Sequence, residues 1–107
     1  MFIQVLKGWR YNPGERTKVL ADIERARADN DGVSPLRPPV PGLIARMFGT
    51  DPDDPDTGIA VWVWESTEAA NAHRWDADPQ SRARLEQQLD HSQLVTEGFE
   101  GLYFAHR

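Results

Sequence analysis

The junction that decides the fold is residues 60–73, which read AVWVWESTEAANAH. An apolar strand ends at Trp64, and Ser66 or Thr67 then supplies the side chain that caps a helix. Glu68 lies in the first helical turn, where the helix dipole favours a negative charge. The Ala-rich helix carries His73 into its second turn. This direct passage from strand to helix sets where the strand ends and the helix begins. It also places a histidine close to the end of a strand that carries two tryptophans.

Including the strand of the junction, apolar, β-prone runs predict four strands, at residues 2–9, 43–48, 59–64 and 94–105. The third is apolar on both faces, which is typical of a central strand covered on both sides. The fourth contains Gly98 and Gly101, and glycine inside a strand predicts a break or a bulge there.

Two helical segments alternate with these strands. Asn12 is predicted to cap the first, with Pro13 at the first helical position and Glu15 completing a capping box. That helix is expected to end near residues 30–32. The second helix runs from the junction to about Asp76, and Asp78-Pro79 starts it again.

The resulting order, βαββαβ, predicts an α+β fold of the ferredoxin-like kind: a four-stranded antiparallel sheet with both helices on one face. The other face still carries apolar residues and needs a cover. A second copy of the same sheet is the economical answer, so a homodimer is expected.

Two loops stand out between these elements. Residues 33–42 contain four prolines and are longer than a connection requires, so they could cover a pocket or embrace a partner subunit. The turn between the second and third strands carries Asp51, Asp53, Asp54 and Asp56. These carboxylates suit calcium, but they lack the glycine and glutamate order of an EF-hand, so a solvated turn is expected.

Composition bounds the function. The 107 residues predict one domain, and the net charge of −5 argues against nucleic acid as a partner, because phosphate binding needs clustered Lys and Arg. The absence of cysteine excludes disulfides and thiolate chemistry. No apolar run approaches a membrane span, and Met1–Lys7 lacks the features of a signal peptide, so we expect a cytoplasmic protein without membrane contact.

Three stretches resemble the antibiotic biosynthesis monooxygenase-like family of the dimeric α/β-barrel superfamily. They are Phe2-Ile3-Gln4-Val5 leading to Pro13-Gly14-Glu15, then Pro41-Gly42-Leu43-Ile44, and Trp64-Glu65-Ser66-x-Glu68-Ala69-x-x-Ala72-His73. The resemblance implies pairing into a dimeric α/β barrel, with a ligand pocket between sheet and helices. It implies oxidation of a hydroxylated aromatic, polyketide or quinol without metal or flavin, so no cofactor is expected. Many relatives have no established activity.

The resemblance makes His73 the candidate catalytic residue, because it is the ionisable ring nitrogen placed where the family pocket would be. An imidazole can take a proton from a phenol at neutral pH, and the phenolate can react with oxygen directly. The alternative is a structural histidine that bonds a backbone carbonyl or a partner subunit.

Candidate substrate-binding residues are Trp62, Trp64, Trp75, Gln4 and Arg46. Flat aromatic walls suit a flat ligand, and the two polar residues could orient a substrate oxygen. Equally, the tryptophans could form the core or a dimer interface, and Gln4 and Arg46 could face solvent or make cross-strand bonds.

The haem-degrading branch of the family is a poor match. It uses an asparagine on the first strand, where this chain has Gln4, and a tryptophan about where His73 stands. Its iron-ligating histidine falls on Ser81-Arg82-Ala83-Arg84. No metal site is expected, because His91 and His106 lie in unrelated segments.

Three function classes stay open from the sequence. The first is a cofactor-independent monooxygenase, and the second is a non-enzymatic dimeric ligand-binding or accessory protein on the same fold. The third is an isomerase or lyase that uses His73 for proton transfer and requires no oxygen.

Overall fold

The structure is a computed structural model that describes residues 1–28 and 40–105. The predicted role of the proline-rich segment therefore falls largely outside the described residues. The elements follow the order β1 (Phe2–Tyr11), α1 (Glu15–Arg27), β2 (Leu43–Asp51), β3 (Asp54–Trp64), α2 (Thr67–Ala72), α3 (Pro79–Gln88), β4 (Leu89–Asp90) and β5 (Val95–Glu100).

The sheet is antiparallel, with β3 between β2 and β1. The other edge of β1 is shared by two short strands: β5 pairs with residues 2–7, and β4 pairs with Arg10 and Tyr11. The last strand of the motif is thus made in two pieces. The predicted α+β, ferredoxin-like arrangement of an antiparallel sheet with helices on one face is confirmed, and the sheet is curled.

The bulge lies in β1 rather than in the last strand. β5 keeps an unbroken register with β1 through Gly98, so the irregularity predicted there is wrong. The strand does stop before Gly101, at Glu100, rather than continuing to residue 105 as predicted. The register between β1 and β3 instead shifts between Lys7 and Trp9, where Gly8 adopts a φ of 84°. Glycine accepts this left-handed conformation without the steric cost of a Cβ.

The first helix begins differently from the prediction. Gly14, with a φ of 79°, occupies the cap position, and no side chain caps the helix, so the capping box at Asn12 is wrong. The Asn12 amide instead donates hydrogen bonds to the carbonyls of Glu86 and Gln87, at 2.8 and 3.0 Å. Carbonyls in the last turn of a helix have no partner within it, so Asn12 ties the start of α1 to the end of α3.

The second helical segment is split, as the sequence indicated. Ser66 Oγ accepts a hydrogen bond from the Ala69 amide at 3.1 Å and caps α2. That helix ends at Ala72, four residues before the predicted end, with His73 as its C-cap. α3 starts at Pro79, with Asp78 as its cap.

The predicted aspartate-rich turn is mostly strand, because β2 runs to Asp51 and β3 already starts at Asp54, so only residues 52 and 53 form the turn. The Thr57 hydroxyl and the Arg10 guanidinium both donate to the Asp54 carboxylate, and these bonds hold the pKa of Asp54 below its usual range. Asp51 accepts a hydrogen bond from the Asp53 amide. Across residues 1–28 and 40–105, no group of three or more acidic or histidine side chains could hold a metal ion.

The helix-covered face of the sheet has a packed half and a hollow half. In the packed half, Leu43, Trp64 and Ala70 form a buried cluster against α2. In the hollow half, α1 and α3 stand over the sheet and leave a cavity between them. No helix in the described part of the chain is both long and apolar enough to cross a membrane.

Candidate functional site

The cavity encloses about 360 Å³ between the sheet and the two longer helices, within the range of small-molecule sites. Its walls are almost entirely apolar. The aromatic part is made by Trp9, Tyr11, Phe48, Trp62 and Trp75, and the aliphatic part includes Leu6, Val19, Ile23, Ala60 and Leu85. Flat, apolar walls of this kind favour a flat, apolar ligand.

The bulge at Gly8 brings two aromatic rings into this wall. Side chains alternate along a strand, so strict alternation from Leu6 would turn Trp9 to the opposite face. The inserted residue reverses the alternation, and Leu6, Trp9 and Tyr11 all face the helices. The Trp9 and Tyr11 rings meet edge to face with their centroids 5.4 Å apart. Burial raises the pKa of Tyr11, so its hydroxyl stays protonated at neutral pH.

Trp62 marks the boundary between the packed and hollow halves. Its ring stacks on Trp64 with centroids 5.7 Å apart, and it also lines the cavity. Trp64 Nε1 donates to Gln4 Oε1 at 3.2 Å, whereas Trp62 Nε1 is buried with no hydrogen-bond partner among the described residues. An unpaired buried N–H costs about 1–3 kcal/mol of the free energy of unfolding.

His91 closes the opposite side of the cavity, directly after β4. Its ring stacks on Trp75 with centroids 4.3 Å apart and an interplanar angle of 23°. Its Nδ1 is the second buried nitrogen without a partner in the described part of the chain. Both rings also border an open, polar groove that includes Asp76, Arg82 and Asp90. The stacked pair therefore stands between the apolar cavity and solvent.

Arg46 supplies the one charged side chain of the described cavity lining. It extends from β2 opposite Trp62, and its guanidinium carbon lies 5.7 Å from the Phe48 ring centroid and 5.9 Å from that of Trp62. Contact with two aromatic faces holds the cation beside the cavity.

Comparison with known proteins supports the architecture. No protein-family model matches the chain, and no curated protein sequence matches it. Solved structures do match over nearly their whole length. One from Chloroflexus aurantiacus, named an antibiotic biosynthesis monooxygenase, shares 19% identity, with 99% of this chain and 98% of the other covered and a TM-score of 0.61.

Two further structures agree with it. A protein of the same name from Deinococcus radiodurans has 14% identity, coverage of 100% and 98%, and a TM-score of 0.60. SnoaB, a cofactor-independent oxygenase from Streptomyces nogalater, has 14% identity, coverage of 96% and 95%, and a TM-score of 0.57. The chain has the fold of the antibiotic biosynthesis monooxygenases.

Within this monooxygenase-like fold, three of the six predicted site residues line the cavity: Trp62, Trp75 and Arg46. Gln4 and Trp64 do not: Trp64 belongs to the packed cluster, and its Nε1 donates a hydrogen bond to Gln4. His73 also lies outside the cavity, exposed at the end of α2, where its ring stacks on Trp64 with centroids 6.2 Å apart. The catalytic role of His73 stays a prediction that the cavity does not support.

The cavity also contains residues that the sequence analysis missed, chiefly Trp9, Tyr11 and His91. Gly8 within an apolar strand was the available signal for the first two, because such a glycine predicts a bulge. No comparable signal existed for His91, since its position depends on how the chain turns after α3.

Proposed function

We propose that this chain is a cofactor-independent monooxygenase-like protein that binds a hydroxylated aromatic, polyketide or quinol in the cavity. The observation that carries the proposal is a cavity of about 360 Å³ between the sheet and the helices, with walls that are almost entirely apolar and largely aromatic. Apolar walls with a few polar atoms are typical of small-molecule sites.

The chemistry depends on the ligand more than on the protein. A phenolate or enolate is electron-rich and can react with dioxygen directly, so the ligand itself supplies the electrons. The protein would bind the ring, exclude water and accept the hydroxyl proton. The name of the oxygenase from Streptomyces nogalater, which has the same fold, agrees with such a role.

A ligand-binding or accessory protein without catalysis is the second candidate. The observation that favours it is the position of His73, which lies outside the cavity and leaves His91 as the one histidine of the described lining. A cavity with a single titratable base can bind a phenol without catalysing its conversion.

Ligand titration and oxygen uptake together test these candidates. We expect 1-naphthol and 1,4-naphthohydroquinone to quench tryptophan fluorescence with saturation, because Trp9, Trp62 and Trp75 all line the cavity. The monooxygenase predicts oxygen consumption above the rate without protein, together with an oxygenated product, in the presence of a chelator. Saturable binding without oxygen consumption would favour the accessory protein, and no binding would overturn both.

We also propose that the chain works as a homodimer. The helix-free face of the sheet exposes four large apolar side chains, Met47, Ile59, Val95 and Phe99. Around them lie the half-buried side chains of Ile3, Val5 and Val61. A second copy would present an identical surface, so two sheets packed face to face would cover both without any further partner.

The homodimer predicts a charge-sensitive interface at Met47, which is 61% exposed in the single chain. Met47→Asp should raise the dissociation constant of the dimer at least tenfold, or about 1.4 kcal/mol, because it buries an unpaired charge. Sedimentation velocity at several concentrations measures this constant. Met47→Leu is the matched control and should dimerise normally; a wild-type chain that sediments as a monomer at micromolar concentration would contradict the proposal.

A further inference from the structure

We propose that Arg46 recognises a carboxylate, so that the cavity selects an aromatic carboxylic acid over an uncharged ring. The inference rests on the proposed ligand-binding function and names a group that the ligand carries beside its ring. Arg46 is the one charged side chain of the described lining, and no aspartate or glutamate belongs to that lining. The apolar walls therefore contain a positive charge that no neighbouring wall residue compensates.

The guanidinium of Arg46 lies against the cavity wall. Arg46 is opposite Trp62 in the sheet, and Phe48 is opposite Ala60, and all four residues line the cavity. The guanidinium carbon is 5.7 Å from the Phe48 ring centroid and 5.9 Å from that of Trp62. The charged group itself, and not only its aliphatic stem, is thus placed beside the space that a ligand would fill.

The N–H donors of Arg46 are available to a ligand. In residues 1–28 and 40–105, Arg46 forms no ion pair, whereas seven other cationic side chains each pair with a carboxylate. Its contacts there are with the two aromatic rings. Such contacts use the charge and the face of a guanidinium, so they leave its in-plane N–H donors free.

A single, permanent negative charge fits this arrangement best. A phenol is uncharged at neutral pH, whereas a carboxylate is ionised and its two oxygens match the guanidinium fork. A phosphate monoester carries close to two negative charges, and the described lining supplies one cation. The net charge of −5 gives anions no general attraction to the chain, so the selection must come from this local contact.

The position of Arg46 also limits the cost of burying the ligand's charge. Arg46 is half-buried, and Phe48 beside it is 55% exposed in the single chain. A carboxylate at this end of the wall keeps part of its hydration, which reduces the penalty for taking an ion out of water. The ring of the same ligand can lie deeper, among the aromatic side chains that line the cavity.

A matched pair of ligands tests the inference. 2-Naphthoic acid and 2-naphthamide share the ring and the carbonyl group, and they differ in charge at neutral pH. Isothermal titration calorimetry gives the ratio of their affinities. The wild-type chain should bind the acid at least tenfold more tightly, as expected for hydrogen bonds between charged groups. The ratio is the readout because a changed wall affects both ligands alike.

Three variants assign the preference to Arg46. Arg46→Gln removes the charge, so the ratio should fall close to one, and Arg46→Lys keeps the charge and should retain part of the ratio. Arg84→Gln removes the same charge from an exposed position on α3 outside the cavity, so its ratio should equal that of the wild-type chain. Circular dichroism checks that each variant folds.

Three results would overturn the inference: a ratio close to one in the wild-type chain, an unchanged ratio in Arg46→Gln, or an equal fall in Arg46→Gln and Arg46→Lys. Saturable binding of both ligands without a preference removes the role of Arg46 and leaves the ligand-binding cavity in place. No binding of either ligand or of 1-naphthol overturns the proposed function as well. A preference that depends on Arg46, with no oxygen consumed, supports the inference and favours the accessory protein over the monooxygenase.

Discussion

Trp64→Ala is expected to cost about 3–5 kcal/mol of the free energy of unfolding. Trp64 is 1% exposed and packs in the cluster with Leu43 and Ala70 under α2. The change leaves a large void and removes the indole N–H that Gln4 accepts, so a half-buried amide also loses its partner. The loss is a large fraction of the total stability of a small domain, and the melting temperature should fall by more than about 10 °C.

Trp75→Ala is the matched control, since it makes the same chemical change in the hollow half of the sheet face. Trp75 is only half-buried and borders both the cavity and the open groove. Trp75→Ala should therefore lower the free energy of unfolding distinctly less than Trp64→Ala does, as measured by thermal or denaturant unfolding. Equal losses for the two tryptophans would contradict the division of this face into a packed and a hollow half.

Ala60→Phe is expected to weaken ligand binding at least tenfold while the chain stays folded. Ala60 is buried in the middle of β3, between Leu6 and Phe48 on the neighbouring strands, and its side chain lines the cavity. A phenyl group built there enters open space bounded by apolar side chains rather than a packed core, so the usual cost of overpacking is reduced. Fluorescence titration with 1-naphthol should give a dissociation constant at least tenfold larger than that of the wild-type chain, which is a loss of about 1.4 kcal/mol in binding free energy.

The same exchange at Ala83 provides the control, because Ala83 is exposed on α3 and does not line the cavity. Ala83→Phe should bind 1-naphthol like the wild-type chain. If Ala60→Phe binds it equally well, the ligand occupies another site, and the proposed function loses its structural basis.

The sequence predicted the order of the elements well, because local signals are strong where they matter. Ser66 and Asp78 cap the helices as expected, and the alternation along β3 correctly places Trp62 and Trp64 on one face. The alternation of side chains along a strand does not predict which of the two tryptophans packs against a helix and which lines the cavity. That depends on how far α2 extends over the sheet.

The candidate site was less predictable for the same reason. His73 is close to the tryptophan strand in sequence, yet the early end of α2 leaves it exposed. His91 is distant from that strand, yet the turn after β4 brings it to the cavity. Whether a histidine lines a cavity depends on tertiary packing, which short-range sequence patterns do not encode.

The close approach of Trp9 to Gly58 has a consequence for the shape of the cavity. A Cβ built on Gly58 would lie 2.0 Å from the Trp9 ring, so the indole rests directly on the backbone of the neighbouring strand. Any larger residue there must push the ring toward the helices and shrink the space in front of it. A single methyl group at Gly58 would therefore change the shape of the cavity, although Gly58 does not line it.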